Sequence, residues 1–238
     1  MARRIETSHP RHHAPVWWWS VREIVLGAND GLVSTLAFVA GAAASFPDPD
    51  FIALATLMEV IAGAISMGFG AYLAARSRTE LESRELAVER RHLDERPEEE
   101  TGELERFLEK HDLAEDEVRQ LSALIQRDKS LFLSIMGALE LGVQIEPEPP
   151  VRAGLSMAAA FVIGSLPAAI PFILAPDPMT ALAIATGASL LFLIGIGFWR
   201  AHIGETRRRR TVTEMVVLGV IATAAGYGLG HAASWVLG

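Results

Sequence analysis

The sequence has no cysteine, only two tyrosines and, over long stretches, no charge at all. The missing cysteines exclude disulfide scaffolds, thiolate metal sites and cysteine nucleophiles, so any metal chemistry rests on oxygen, imidazole or thioether ligands. Basic residues are the minority, 21 Lys and Arg against 29 Asp and Glu, for a formal charge of -8. A nucleic-acid binder needs the opposite balance. A Gly-rich phosphate loop, a Ser-His-Asp arrangement and a dinucleotide fingerprint are also missing. What the chain has in excess is apolar: half of its 238 residues are hydrophobic and 21% are charged, with a mean hydropathy of +0.28. A single soluble domain rarely has that composition.

Five runs carry almost no charge: roughly Val21 to Phe46, Phe51 to Ala75, Gly154 to Ala175, Met179 to Trp199 and Val212 to Leu237. Each reaches or exceeds the ~20 residues a helix needs to cross a ~30 Å hydrocarbon layer. A soluble bundle of buried helices would need polar faces, and the last three runs show none. The fold class expected is therefore an all-α integral membrane protein with five transmembrane helices.

Orientation follows from the loops, because basic residues near helix ends stay on the cytoplasmic side. The turns Pro47-Asp48-Pro49-Asp50 and Pro176-Asp177-Pro178 carry acids and no base, and all 21 basic residues lie on the other side. The N-terminus is then inside and the C-terminus outside. Trp17, Trp18 and Trp19 sit where an interfacial aromatic belt is expected. The N-terminal residues show no cleavable signal, which favours a bacterial inner membrane. On this reading residues 1–20 form a cytoplasmic tail, 21–78 carry spans one and two, and 151–238 carry spans three to five.

Residues 79–150 are of a different kind, with 20 Asp and Glu against 9 Lys and Arg. Helical periodicity appears in Leu81, Glu85, Val88 and His92, after Pro97 in Leu104, Phe107 and Leu108, and again from Leu113 through Leu141. Ala71 to Arg96 contains neither Gly nor Pro, so the second span should continue rigidly into this segment until Pro147, Pro149 and Pro150 end it. The expectation is a three-helix, acidic cytoplasmic domain between helices two and three.

Two acids lie inside spans. Asp30 is about ten residues into the first, so ~15 Å deep at 1.5 Å per residue, and Glu59 is similarly inside the second. Such residues line a pathway or pair with something, because a charged carboxylate in lipid costs several kcal/mol. The only basic residue in the first two spans is Arg22 at the inner edge. Glu23, Gly27, Asp30, Ser34, Gly41 and Ser45 recur at helical spacing on helix one, as do Glu59, Gly63, Ser66, Met67, Gly70, Ala74 and Ser77 on helix two. Neutral acids hydrogen-bonded in a packed interface would also fit. With Met67 as thioether, however, two unpaired carboxylates make a site for which a dication and protons compete, as an antiporter needs.

The acidic segment offers a second site. Glu89 and His92, Glu100 and Glu103, and Met136 and Glu140 are pairs spaced three or four apart, each on one helix face. Oxygen and nitrogen ligands with one thioether suit Fe(II) or Mn(II); a merely solvated acidic face has the same spacing.

Ala28-Asn29-Asp30-Gly31-Leu32-Val33-Ser34-Thr35, followed by Val39-Ala40-Gly41-Ala42, resembles the first-helix signature of the vacuolar iron transporter family. Ala64-Ile65-Ser66-Met67-Gly68 leading to Tyr72 resembles that family's second span, and Glu85-Leu86-Ala87-Val88-Glu89-Arg90-Arg91 with Pro97-Glu98-Glu99-Glu100 its cytoplasmic metal-binding domain. The likeness runs from about residue 20 to the C-terminus. It implies a dimer of five-span protomers with a three-helix cytoplasmic domain, exchanging Fe(II), often also Mn(II), for protons. It also implies Asp30, Glu59 and Met67 as translocation residues, and Glu89, Glu100, Glu103, Met136 and Glu140 as cytoplasmic ligands. His92 departs from the pattern, where the family usually has Glu; imidazole still binds these metals but removes a negative charge. The partners expected are thus divalent metal ions, protons, membrane lipid and a second protomer, with no nucleic acid and no organic cofactor.

Two other classes compete with a transporter. Glu89-Arg90-Arg91-His92 is a Glu-x-x-His element of the di-iron carboxylate kind, so the domain could be a membrane-anchored oxidase, although a di-iron site usually needs two such elements. The acidic domain could instead be a scaffold that docks basic partners. His9, His12 and His13 form a His-containing polar terminus, His202 and His231 lie near membrane edges, and Arg207 to Arg210 fix topology and touch anionic lipid.

Overall fold

The computed structural model describes residues 21–111, 113–140, 149–203 and 207–237. Among them there are eight helices and no strand: α1 (Val21–Ser45), α2 (Pro49–Glu95), α3 (Pro97–Glu109), α4 (Glu115–Gln126), α5 (Lys129–Glu140), α6 (Pro150–Leu174), α7 (Pro178–Ile203) and α8 (Arg208–Leu237). Four of these start on proline, whose fixed φ and missing N–H suit the first helical position. Five of them, α1, α2, α6, α7 and α8, are long and apolar enough to cross a membrane, as a multi-pass integral membrane protein requires. Trp17 to Trp19, the N-terminal histidines and Pro147 lie outside the described residues.

The chain forms two compact units. The first holds the residues up to Tyr72 and from Val151 onward, the second Leu73–Pro150; α2 contributes to both.

In the first unit α1 is the central helix. Leu32, Leu36, Val39 and Ala40 have no exposed surface, and α1 packs on both α7 and α8. One apolar cluster joins Leu36, Val39 and Ala43 to Ile52, Ala168, Phe172, Ala181 and Ala185. Away from that core α2 exposes Leu54, Leu57, Met58, Ile61, Ile65 and Phe69; so large an apolar surface suits contact with lipid rather than water. Helix α6 keeps Pro167 and Pro171 within its length, as spanning helices can when neighbours satisfy the freed backbone.

Small residues set how closely α1 can be approached. A Cβ on Gly164 of α6 would stand 2.7 Å from the Ala28 Cα, and one on Gly41 would stand 2.9 Å from the Gly226 carbonyl oxygen of α8. These approaches let backbones meet without a side chain between them. Gly164→Leu should therefore push α1 off α6 and cost at least the ~1–3 kcal/mol of core overpacking. Thermal unfolding in detergent checks this. Gly70→Ala is the control, because a Cβ there meets nothing within 4 Å and its Tm should not fall.

The polar stripe read on helix one does not face a single partner. Gly27 packs on Met157 and Ala160 of α6, Ser34 reaches Glu59 of α2, and Ser45 Oγ donates to the Gly230 carbonyl of α8 at 2.8 Å. A helix with several neighbours divides its small and polar residues among them.

In the second unit α3, α4 and α5 close on a core of Leu104, Leu108, Val118, Ile125, Phe132 and Met136, with Leu93 of α2 packed against it. The periodicity expected from Leu113 through Leu141 is two helices, not one. Asp128 stops the first and caps the second: its Oδ1 accepts from Ser130 N at 2.9 Å, Ser130 Oγ at 2.8 Å and Leu131 N at 3.2 Å. Apolar residues of both helices enter one core, so their period runs through the break.

The Ser130 hydroxyl, then the Leu131 and Ser130 backbone N–H groups, hold the Asp128 carboxyl below its ordinary range. Since the folded value is the lower one, the cap's contribution is complete above the unfolded range and disappears as pH falls through the lowered one. Amide exchange at the start of α5 should accelerate over that acid window, and Asp128→Ala should leave it fast at every pH. Asp177 caps α7 in the same way, with its carboxyl lowered first by the Thr180 backbone N–H, which donates at 2.9 Å.

Candidate functional site

The first site lies between α1 and α2. Glu59 sits half-buried on α2, and each of its carboxylate oxygens receives one hydroxyl from α1: Ser34 Oγ donates to Oε1 at 3.3 Å and Thr35 Oγ1 to Oε2 at 2.9 Å. Asp30 stands one helical turn before Ser34 on α1, on the face that meets Glu59. Phe161 of α6, 2% exposed, forms an apolar wall beside the pair. Its backbone presses on Gly31 and its ring on Gly63, where a Cβ would come 2.6 Å from a ring carbon. Gly31, next to Asp30, makes room for the Phe161 backbone, and Gly63, one turn from Glu59, for its ring. Met67 is half-buried two turns beyond Glu59. Asp30 thus lies one turn along α1 from the hydroxyls that hold Glu59, and Met67 stands two turns further along α2.

Thr35 was not singled out by sequence. It has no exposed surface and makes the shorter of the two bonds to Glu59. Two adjacent hydroxyls, Ser34 and Thr35, four and five residues past a span carboxylate are the signal that marks it.

The second site lies wholly within the Leu73–Pro150 unit. Glu89, His92 and Glu100 each offer a ligand atom, and these atoms all lie within 4.8 Å of one another. The corner between α2 and α3 brings them together. Arg96 is the single residue between the helices, and Pro97 starts α3 at once, so the last turns of α2 face the first turn of α3. Both carboxylates are 6% exposed, whereas the His92 side chain is half exposed, its Nδ1 3.8 Å from Glu100 Oε1. Glu100 Oε2 is buried without a hydrogen-bond partner among the described residues. A buried carboxylate oxygen in that state needs a donor or a cation, and α3's N-terminal dipole compensates it only in part.

Glu103 and Met136 do not join this trio. They line a groove of about 580 Å³ together with Arg106, Phe107, Glu109, Lys110 and Leu139. Glu103 is held by Arg106 at 3.8 Å, and Met136 is 2% exposed in the apolar core. Glu140 closes α5, its side chain outside the described part.

A family model described as the VIT family matches residues 21–231. The chain belongs to the VIT family. Vacuolar iron transporter 1 of Oryza sativa subsp. japonica is 29% identical over 94% of this chain and 91% of its own length. Vacuolar iron transporter 2 of the same plant is 31% identical over 89% and 87%, and vacuolar iron transporter 1 of Arabidopsis thaliana 30% over 87% and 83%. These relatives within the family are transporters, not enzymes, and the match covers both sites.

Proposed function

We propose that this protein is a transporter that exports Fe(II), and also Mn(II), from the cytoplasm in exchange for protons. The observation that carries this reading is the carboxylate pair Asp30 and Glu59 within two apolar spans, one of them held by two hydroxyl donors, in a chain whose relatives are named iron transporters. Two acids with no Lys or Arg in ion-pair reach among the described residues bind a dication by losing protons, and bind protons by losing the dication. The oil around them makes either exchange complete, because a bare pair of charges there is costly.

In this mechanism the 79–150 segment faces the cytoplasm and collects metal at Glu89, His92 and Glu100, while Glu103, Met136 and Glu140, expected as ligands from the sequence, are not needed to neutralise the ion. The ion passes to Asp30, Glu59 and Met67, where α1 and α2 of two protomers face each other. Protons from the far side then neutralise the carboxylates and release it. The N-terminus lies in the cytoplasm with the 79–150 segment and the C-terminus opposite; the boundaries at 20, 78 and 150 follow the charge distribution. The relatives' names speak of the vacuole and lend nothing to the bacterial inner membrane expected from the N-terminal residues. An oxidase reading wants a second Glu-x-x-His element in the same bundle; the other one in the sequence, Glu6-Thr7-Ser8-His9, is on the N-terminal tail, outside the acidic segment and outside the described residues.

The test is purified protein in sealed vesicles loaded with a pH dye. Fe(II) or Mn(II) added to the side of the 79–150 segment should drive proton movement opposite to the metal. Metal uptake without proton movement would replace antiport by a uniport, and movement of neither would remove the transport reading.

A further inference from the structure

The trio of Glu89, His92 and Glu100 mixes two kinds of ligand. Its carboxylates are the buried members and its imidazole the half-exposed one. Among the described residues the basic group within ion-pair reach of Glu100 is His92, at 3.8 Å, which is too long for a hydrogen bond. The second Glu100 oxygen has no hydrogen-bond partner among them. Arg96, next to the corner, is turned to Glu99 instead, at 3.3 Å. The protein thus brings a buried, incompletely satisfied carboxylate to a ring nitrogen without letting the two satisfy each other, and a cation between them completes both.

Charge counting narrows the cation. Two carboxylates neutralise a dication, and imidazole adds a third ligand with no further charge. The loaded site is then neutral, the state that costs least where two of three ligands are out of water. Ligand chemistry narrows it further: all-oxygen sites suit Mg(II), Ca(II) and Mn(II), whereas an imidazole favours the later first-row ions.

We propose that His92 coordinates the metal through a ring nitrogen and sets the preference of this site for Fe(II), Co(II) and Zn(II) over Mn(II), Mg(II) and Ca(II). The inference rests on the collecting-site reading above and adds its selectivity. Because the imidazole stands on the solvent side, replacing it leaves the apolar core of the unit untouched.

The test uses the full-length protein in detergent at one fixed pH, with Mn(II) and Co(II) as probes and His92→Glu and Glu100→Gln as variants. Pulsed electron paramagnetic resonance of the Mn(II)-loaded protein should show coupling to a nitrogen nucleus in the wild type and none in His92→Glu. Competition between the two ions should give a Co(II)-over-Mn(II) preference that falls about tenfold or more in His92→Glu, as loss of the nitrogen ligand requires. Nitrogen coupling that is absent from the wild type, or that persists in His92→Glu, overturns the inference, as does an unchanged preference. Those results leave the collecting site standing if Glu100→Gln still weakens Mn(II) binding. If Glu100→Gln changes nothing, the collecting-site reading fails first and the inference with it.

Discussion

Asp30→Ala abolishes metal-driven proton movement in vesicles, down to the level of protein-free vesicles, while the protein still folds and inserts. The expectation rests on the different situations of the two span acids. Glu59 is fixed, one hydroxyl on each oxygen. Asp30 makes no hydrogen bond among the described residues, so its carboxylate is the member free to meet an incoming ion. Removing it leaves a single carboxylate, which cannot neutralise a dication in low dielectric, and the metal-bound state becomes too costly to populate. Folding should survive because Asp30 is only partly buried, outside the set of fully buried α1 residues that includes its neighbours Gly31 and Leu32. Asp30→Asn separates charge from shape, being nearly isosteric; it should be as inactive as the alanine variant. A proton flux at wild-type rate in Asp30→Ala, with insertion verified by protease protection, would show that ions cross elsewhere.

How far these sites could be read in advance depended on what competes with each residue for its role. Asp30 and Glu59 stood out because almost nothing else in their runs ionises, and lipid makes every such residue expensive. Thr35 did not, because a hydroxyl in a helix has a local alternative: Thr56, one turn before Val60 on α2, donates to its own helix at the Ile52 carbonyl, 2.7 Å away. Nothing in the residue types distinguishes the threonine that bonds its own backbone from the one that reaches across. Five spans could be read from length and charge alone, but not their packing order, since small residues occur on all faces of α1.

The acidic segment shows the opposite difficulty, too many candidates. Glu89 and His92 share a face by spacing, and Pro97 fixed where Glu100 falls in α3. Met136 had the same spacing argument with Glu140, yet it falls in register with Phe132 and enters the core. A thioether serves packing as readily as coordination, and periodicity cannot choose between them. Glu103 lies one turn beyond Glu100, but Arg106 at i+3 takes its carboxylate. Neighbouring charges of opposite sign, visible in the sequence, would have ranked it below Glu100.

The second large effect concerns Glu89 and Glu100. The double variant Glu89→Gln with Glu100→Gln should lose at least about 100-fold in Mn(II) affinity, beyond what removal of a supporting outer partner costs, and should become more heat-stable without metal. Both follow from one feature: two carboxylates are kept almost out of water on the α2–α3 corner, that of Glu100 with an oxygen that no donor reaches among the described residues. An arrangement that costs stability when empty is retained where function needs it, and amide groups in its place carry no charge to desolvate. Metal then acts as a stabiliser of the wild type, by about 2.7 kcal/mol at a concentration 100 times Kd, and has no such effect on the variant. Differential scanning of wild type and variant with and without Mn(II) should therefore give melting temperatures whose order reverses on loading. For transport the consequence is unequal, because a collecting site governs how much metal arrives, not the exchange at Asp30 and Glu59: KM should rise while the rate at saturating metal is largely kept. If both fall together, Glu89 and Glu100 belong to the conduit itself, and every ion that crosses must first be held by them.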